Sequence, residues 1–346
     1  MTITFLLPYY NPVKVAIPTN TRLTMDEVWE LCREDLHRIE DQIHTDLKSN
    51  LSLISVMGSH LINSGGKRLR PLLMILASRL AGYTGKSHVE LASVIELIHA
   101  ATLFHDDVID EAPTRRGNKT ARMLWGNQAS ILVGDYLYAK AQCTIVSFHN
   151  HDLNESVTEA TRKMAKGELA QLAFNGDLSI TEEDYLEIIG NKTASLMAAT
   201  CRIGAILGEC STEQRDDLEL FGWNVGMAFQ LADDTLDYAA NKSTLGKSVG
   251  KDLGEGKVTL PLLALLKRCS QNDAEKIERL ITLSEVTEEN LSFILNLMKE
   301  YGVIEYSMEI ARSFVEKAKK SVMLFEDSIP LQALFTVADY VVEREL

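Results

Sequence analysis

Two copies of an aspartate motif, Asp-Asp-x-x-Asp, carry the clearest chemical signal in this sequence of 346 residues. The copies span residues 106–110 and 233–237, and each ends a long apolar run with helical periodicity. Residues four apart lie one turn apart, so Asp106 and Asp110 share a helix face. Carboxylates so close repel one another without a cation, and their oxygen atoms suit Mg2+. Two facing clusters therefore predict a magnesium site.

A single copy of the motif would fit a solvated helix end about equally well. Like charges at this spacing cost a helix only about 0.2–0.5 kcal/mol, so a surface could tolerate them. The same spacing occurs twice, however, and both copies lie within apolar runs. This repetition favours the metal site over the solvated surface.

Two basic clusters accompany the aspartates. Arg115 and Arg116 follow the first motif, and paired guanidinium groups can fork onto phosphate oxygens. Upstream, residues 65–71 read Gly-Gly-Lys-Arg-Leu-Arg-Pro, where glycine lets a ligand approach the backbone closely. Either cluster alone could be a solvated basic loop. Together with the aspartates they predict two diphosphate ligands, one held through metal and one held directly by Lys and Arg.

A glycine-rich stretch, residues 246–257, follows the second aspartate motif and carries Lys247, Lys251 and Lys257. The stretch lacks the residue order of a Walker phosphate-binding loop. We interpret it as a lysine-bearing flap that closes on a phosphate.

Two further polar positions lie within apolar helical segments. Lys192 and Thr193 form one of them, and a lysine there could serve a ligand or extend its ammonium group to solvent. His99 lies two helical turns before Asp106, on the same face. A lone His on an apolar helix is usually a core residue, but beside a diphosphate it could donate a hydrogen bond.

Composition limits the function classes. Hydrophobic residues make up 46% and charged residues 24%, as in ordinary globular proteins. The net charge of -14 argues against nucleic-acid binding. The five cysteines are scattered without a C-x-x-C pair, which indicates neither a disulfide framework nor a zinc site and fits a reducing cytoplasm. No apolar run reaches the roughly 18–20 residues of a membrane span, and the N-terminus lacks the basic segment of a signal peptide.

Helical periodicity dominates the sequence, so we predict an all-α fold with one large domain, residues 25–346, after an N-terminal arm, residues 1–24. Three of the seven prolines lie in the first twenty residues, which predicts an irregular arm. Ser87 and Glu90 predict a capping box at the start of a helix that ends at Asp110. Shorter helices are expected in 260–345, and the longer predicted helices are 25–48, 51–63, 71–81, 127–148, 152–174, 182–208 and 212–239.

These residues resemble the trans-type isoprenyl diphosphate synthases, and the match extends from Gly65 to about Leu263. The motifs that carry it are the first aspartate motif with Arg-Arg-Gly, the Lys-Thr pair, Phe-Gln before the second motif, and the lysine-bearing run that ends at Pro261. The details are similar to long-chain polyprenyl diphosphate synthases of quinone side-chain synthesis. The resemblance implies a helical bundle around a central apolar cavity, and a homodimer.

The resemblance also implies a reaction and its ligands. Isopentenyl diphosphate would add to an allylic cation formed from farnesyl diphosphate or a similar primer, with the departing diphosphate as the proton acceptor. About three Mg2+ ions would be present with substrate bound. Isopentenyl diphosphate would contact Lys67, Arg70, His99 and Arg116. The metal ligands would be Asp106, Asp107, Asp110, Asp233, Asp234 and, less directly, Asp237. The allylic diphosphate would contact Arg115, Lys192, Thr193, Gln230, Lys247 and Lys257.

Product length is predicted from the residues that precede the first motif. Short-chain members of the family resembled place a bulky aromatic about five residues before the first aspartate, where this sequence has Ala101 followed by Thr102. With Ile98 one turn further away, these residues predict an open tunnel and products of about C30–C50. Ala101 could instead be small because two helices pack closely there.

Several alternatives stay open at this point. A shorter-chain synthase of C15–C20 products, about three to four isoprene units, would share every motif. A non-catalytic subunit of a heteromeric synthase would be expected to have degraded aspartate motifs, and a terpene cyclase a different second metal motif. A di-iron bundle is excluded, because it would need Glu-x-x-His pairs and no two occur at suitable helical positions. The resemblance further implies a cytoplasmic enzyme without nucleic-acid partners, with transient membrane contact for product release.

Overall fold

The computed structural model describes residues 3–7, 10–15, 23–239, 250–282 and 287–343. Within these ranges the chain forms sixteen α-helices, one π-helical segment and four short strands. The strands are β1 (Ile3–Leu7), β2 (Tyr10–Val15), β3 (Thr114–Arg115) and β4 (Asn118–Lys119). The first helices are α1 (Met25–Asp46), α2 (Ser52–Asn63), α3 (Leu69–Leu80), α4 (Ser87–Ile109), α5 (Ala121–Trp125), α6 (Asn127–Ser147), α7 (His151–Ala173) and α8 (Glu182–Ile189). After the π-helical segment (Gly190–Ala194) come α9 (Ser195–Leu207), α10 (Thr212–Ala239), α11 (Lys251–Gly254), α12 (Leu260–Arg268), α13 (Gln271–Thr282), α14 (Glu288–Glu300), α15 (Val303–Ser321) and α16 (Ile329–Tyr340).

The all-α prediction is confirmed, and the long helices begin and end within a few residues of their predicted limits. The prediction of an irregular arm is wrong for residues 3–7 and 10–15, where β1 and β2 pair as antiparallel strands. The sequence Ile-Thr-Phe-Leu-Leu favours a strand. Pro12 is tolerated because both strands of a two-stranded hairpin are edge strands.

Helix starts follow local capping chemistry in one case and depart from it in another. Thr24 caps α1, since its hydroxyl accepts from the Glu27 amide while the Glu27 carboxylate accepts from the Thr24 amide. The capping box predicted at Ser87 is not formed. Lys86 is the residue that precedes α4, so Ser87 already lies inside the helix. The Ser87 amide donates instead to the Tyr83 hydroxyl, 3.1 Å away.

The two helices that carry the aspartate motifs run through the apolar interior. On α4, all residues from Leu91 to Ile98 are buried, because neighbouring helices cover it on every side. Helix α10 packs along α9 and α15, and Phe221 and Val225 on it are fully buried. A helix that is apolar all round belongs in a core. The buried turns of α4 and α10 therefore hold the aspartate motifs at the ends of these helices in fixed positions.

The π-helical segment interrupts the single helix predicted for residues 182–208. Two neighbouring helices contact this segment so closely that only glycine fits at the point of contact. A Cβ atom on Gly167 of α7 would lie 2.5 Å from the Lys192 backbone nitrogen, and one on Gly226 of α10 would lie 2.5 Å from the Ala194 Cα. Such segments contain an extra residue in a turn and often occur at functional sites.

None of the described helices has an apolar stretch of the length that crossing a membrane requires.

Candidate active site

The first aspartate motif lies at the carboxyl end of α4. The Asp110 amide donates to the Asp106 carbonyl, 2.8 Å away, so Asp106 and Asp110 lie one turn apart. Asp107 is buried and accepts a hydrogen bond from Arg115 Nε at 2.8 Å. Asp107 is therefore turned toward the following loop, while the outer two aspartates share the other face.

The second motif lies near the end of α10 and is fixed by a hydrogen-bonded chain. The Thr193 hydroxyl donates to Gln230 Oε1 at 2.8 Å, and Gln230 Nε2 donates to Asp234 Oδ1 at 2.7 Å. The Tyr185 hydroxyl donates to the other Asp234 oxygen at 2.6 Å. Residues from α8, the π-helical segment and α10 thus hold one carboxylate in place.

Lys257 joins the segment that follows the second motif to the first motif. Its ammonium group donates to Asp110 Oδ2 at 3.1 Å, across 147 residues of sequence, and to Glu255 Oε2 at 2.8 Å. Burial disfavours the ammonium ion, but the carboxylates of Asp110 and Glu255 outweigh this effect and raise the pKa of Lys257. The glycine-rich stretch therefore reaches the first motif through this lysine. Lys247, the other lysine assigned to the flap, lies outside the described residues.

Lys192 approaches the first motif from the π-helical segment. Its ammonium group forms an ion pair with Glu168 of α7, 2.5 Å away. Burial raises the pKa of the Asp106 carboxyl to about 7, and the negative charges of Glu168 and Asp110 add to the shift while Lys192 opposes it. Because Gly167 lets α7 approach the Lys192 backbone, the neighbouring Glu168 is brought to the lysine.

Asp252 adds a further carboxylate on the side of the second motif. Its backbone amide donates to Asp237 Oδ2 at 2.9 Å. Burial and the nearby Asp234 and Asp237 raise the pKa of its carboxyl to about 8. Burial also raises the pKa of Asp234, to about 6, although Tyr185 and Gln230 oppose the shift. We call Asp106, Asp110, Asp233, Asp234 and Asp252 the acidic half of the site.

These carboxylates fit Mg2+ as an incomplete set of ligands. Among the residues described, no three acidic, His or Cys side chains group closely enough to hold a metal ion alone. Mg2+ is usually bound by one or two carboxylates together with substrate phosphates and water. The buried acidic charge favours a cation, and a diphosphate between α4 and α10 would supply the remaining oxygen ligands.

The opposite side of the site is basic. We call Lys67, Arg70, His99 and Arg116 the basic half. A Cβ atom on Gly66 would lie 3.0 Å from Arg116 Nη1, so the missing side chain lets the two basic loops meet. The Lys67 ammonium group lies 5.5 Å from the centre of the Tyr340 ring on α16.

His99 is neutral within this basic half. Burial lowers the pKa of its imidazole well below the ordinary value, and the positive charges of Arg70 and Arg116 lower it further. A neutral imidazole still offers one N–H donor, which suits a phosphate oxygen.

Several side chains at the site were not identified from sequence. None of the motifs found in the sequence includes Tyr185, Glu168 or Asp252 as a site residue, although Asp252 lies inside the glycine-rich stretch. Glu96, which contacts Arg68, precedes His99 by one helical turn in an apolar run. The sequence signal for Glu96 was a charged residue within an apolar run, because a buried charge usually has a partner of opposite charge.

The residues assigned to product length lie in the middle of α4. Ala101 and Ile98 are buried, and Thr102 is partly buried with its hydroxyl on the His99 carbonyl. The Ala101 carbonyl oxygen is 3.2 Å from the position of a Cβ on Gly134, so α4 and α6 cross closely there. Ala101 therefore has a packing role in addition to any role as a tunnel wall.

Comparisons with known proteins agree on one family. The family model described as polyprenyl synthetase matches residues 52–298. Octaprenyl diphosphate synthase of Escherichia coli (strain K12) is 38% identical over 93% of this chain and 100% of its own length.

Two solved structures are similar along nearly their whole length. A polyprenyl synthase from Caulobacter crescentus CB15, complexed with calcium and isoprenyl diphosphate, gives a TM-score of 0.89 at 38% identity, covering 94% of this chain and 99% of that one. A decaprenyl diphosphate synthase from Rhodobacter capsulatus gives 0.88 at 36% identity, covering 92% and 99%.

Proposed function

This chain belongs to the polyprenyl synthetase family, and from that premise we propose how its site carries out the reaction. The chain is a prenyltransferase that condenses isopentenyl diphosphate with an allylic diphosphate to make a long-chain all-trans polyprenyl diphosphate. The shorter-chain and non-catalytic alternatives are not favoured. We propose that the product has a length of about C30–C50 and is made for a quinone side chain. The observation that carries the mechanism is the Lys257 bridge to Asp110, which joins the segment after the second motif to the first.

We assign the allylic diphosphate to the acidic half. Asp106 and Asp110 on one side, with Asp233 and Asp234 on the other, would hold Mg2+. The metal would neutralise charge that develops on the departing diphosphate. Lys192 and Lys257 add fixed positive charge, and Arg115 does so in the orientation set by Asp107. Asp237 supports the segment that carries Asp252 and Lys257.

Thr193 and Gln230 align the second motif with the π-helical segment. We assign isopentenyl diphosphate to Lys67, Arg70, His99 and Arg116, which need no metal. Its double bond attacks the allylic cation, and the diphosphate that has left accepts the proton lost. The apolar residues along α4 exclude water, which would otherwise quench the cation to an alcohol.

A product assay tests this assignment. Purified protein, farnesyl diphosphate and labelled isopentenyl diphosphate should yield a ladder of all-trans products that ends in the long-chain range. Removing Mg2+ with a chelator should abolish elongation, and restoring Mg2+ should recover it. Elongation that persists without divalent metal would overturn the metal assignment, and products that stop at the second condensation would overturn the chain length.

Chain length has its own test on α4. Ala101→Tyr should place an aromatic ring beside the growing chain and stop elongation at about C15–C20, while the early condensations continue. Because Ala101 also lies at the crossing of α4 and α6, thermal unfolding must show that the variant is folded. Thr102→Phe, on the next position of the same helix, provides a second obstruction. An unchanged product profile from both folded variants would mean that the chain grows along another wall.

We also propose that the protein is a cytoplasmic homodimer that contacts membranes transiently to release product. Exposed apolar side chains on α5 and α6 support a second copy as the partner, since Leu132 is 67% exposed and Met123 is 51% exposed. Leu132→Glu should shift the protein to a monomer in sedimentation analysis. A variant that remains dimeric would exclude this face.

A further inference from the structure

One carboxylate lies inside the basic half, where an anion should weaken the binding of a diphosphate. Glu96 is on α4, one turn before His99, and only 5% of its surface is exposed. Arg68 Nη1 donates to Glu96 Oε2 at 3.2 Å. A buried carboxylate is costly unless it is paired, so its position among several arginines calls for a role.

Arg68 is fully engaged within the protein. Its Nε donates to Glu40 at 2.7 Å, and its Nη2 donates to the Ile62 carbonyl at 3.2 Å. Its backbone is left-handed, with φ of 44°, immediately before α3. That conformation is strained for a non-glycine residue and persists only when its surroundings hold it. Arg68 therefore shapes the loop and leaves the ligand to its neighbours.

Arg70 has the opposite character. Its Nε atom is buried and, among the described residues, has no hydrogen-bond partner. Burial lowers the pKa of its guanidinium group, and the charge of Glu96 opposes that effect. In turn, burial raises the pKa of Glu96, while Arg70, Arg68 and Arg116 lower it. Glu96 is thus the common counter-ion of three arginines from two separate segments of the chain.

We propose that Glu96 is a positioning residue for isopentenyl diphosphate, which holds Arg68 and the segment of residues 65–70 against α4 so that Arg70 and Arg116 face the ligand together. This inference rests on the proposed assignment of isopentenyl diphosphate to the basic half. Without Glu96, three guanidinium groups would repel one another at close range, and the strained Arg68 backbone would lose one of its supports.

Two physical effects of Glu96 have opposite signs. If the carboxylate acted only as a nearby negative charge, its removal would strengthen diphosphate binding. If it holds the arginines, its removal weakens binding, because the donors are no longer prearranged. The direction of the change in KM for isopentenyl diphosphate therefore decides between the two roles.

The test compares Glu96→Gln with Glu40→Gln. Glu40 also pairs with Arg68, but 43% of its side chain is exposed and solvent screens its charge. Glu96→Gln should raise KM for isopentenyl diphosphate about tenfold or more, with KM for the allylic primer within about twofold. Glu40→Gln should change both by less than about threefold. Glu96→Asp keeps the charge on a shorter side chain and should fall between wild type and Glu96→Gln.

Thermal unfolding with and without ligand shows whether each variant is folded, and Glu96→Asp replaces Glu96→Gln if the latter is not. An unchanged or lowered KM for isopentenyl diphosphate in a folded variant would overturn the inference, as would equal increases for both substrates. Arg70→Ala separates the two levels of the argument. If Arg70→Ala leaves KM for isopentenyl diphosphate unchanged, the site assignment itself fails; if it raises KM while Glu96→Gln does not, only the role of Glu96 fails.

Discussion

The two halves of the site balance charge in opposite ways. The acidic half gathers carboxylates whose pKa values are raised by burial, such as Asp106 and Asp252, and the negative charges of neighbouring acids raise them further. The basic half lies beside its own counter-ion, Glu96, which already pairs with the neighbouring Arg68. The acidic half thus lacks positive charge that external cations would supply, whereas the basic half already holds its counter-ion before a ligand arrives.

This difference fits the two substrates. An allylic diphosphate must lose its diphosphate, so positive charge that arrives with it is useful for the chemical step. Isopentenyl diphosphate keeps its diphosphate, and its site needs only to bind and orient it. We therefore expect changes in the acidic half to act on turnover and changes in the basic half to act on KM.

The largest effect should come from the acidic half. Asp106→Ala removes a carboxylate proposed to hold Mg2+, and turnover should fall by about a hundredfold to a thousandfold or more. The melting temperature should not fall, because this partly buried carboxylate lies near the negative charges of Glu168 and Asp110. Asp41→Ala, at an exposed position of α1, is a matched control with unchanged turnover. Near-normal turnover of Asp106→Ala at saturating Mg2+ would end the distinction between the halves.

An intermediate effect should distinguish the cations. Arg70→Ala should raise KM for isopentenyl diphosphate about tenfold or more while KM for the primer changes little. Lys192→Ala should do the reverse and also lower turnover, since Lys192 lies near Asp106. Steady-state kinetics with each substrate varied separately measures both. The same pattern in the two variants would show that the two diphosphates are not divided in this way.

The smallest effect should come from the contact between the two basic loops. Gly66→Ala places a methyl group 3.0 Å from Arg116 Nη1, at the end of a flexible side chain that can move. KM for isopentenyl diphosphate should rise about twofold to threefold, with stability unchanged. Gly65→Ala is the contrasting variant, because its φ of +85° strains a side chain although no atom lies within 4 Å. It should lower stability by about 1 kcal/mol. If Gly65→Ala raised KM for isopentenyl diphosphate more than Gly66→Ala does, the contact between Gly66 and Arg116 would not be the cause of the kinetic effect.

The fold and the ends of α4 and α10 could be predicted because long apolar periodicities and repeated aspartates are local features of the sequence. Partners from distant elements could not be predicted. Tyr185 of α8 donates to Asp234 of α10 across 49 residues of sequence, and no spacing in the sequence encodes that contact. Ser87 was misplaced because residues favourable for capping also occur just inside a helix. Division of the site into ligand roles remains a prediction.

The π-helical segment changes the rotation of α9 about the helix axis relative to α8. The wider turn holds one extra residue, so the residues after it are rotated by about 100° relative to a continuous α-helix of the same sequence. Tyr185 before the segment and Thr193 within it both reach the cluster around Asp234. The extra residue thus sets which faces of the two flanking helices meet at the second aspartate motif.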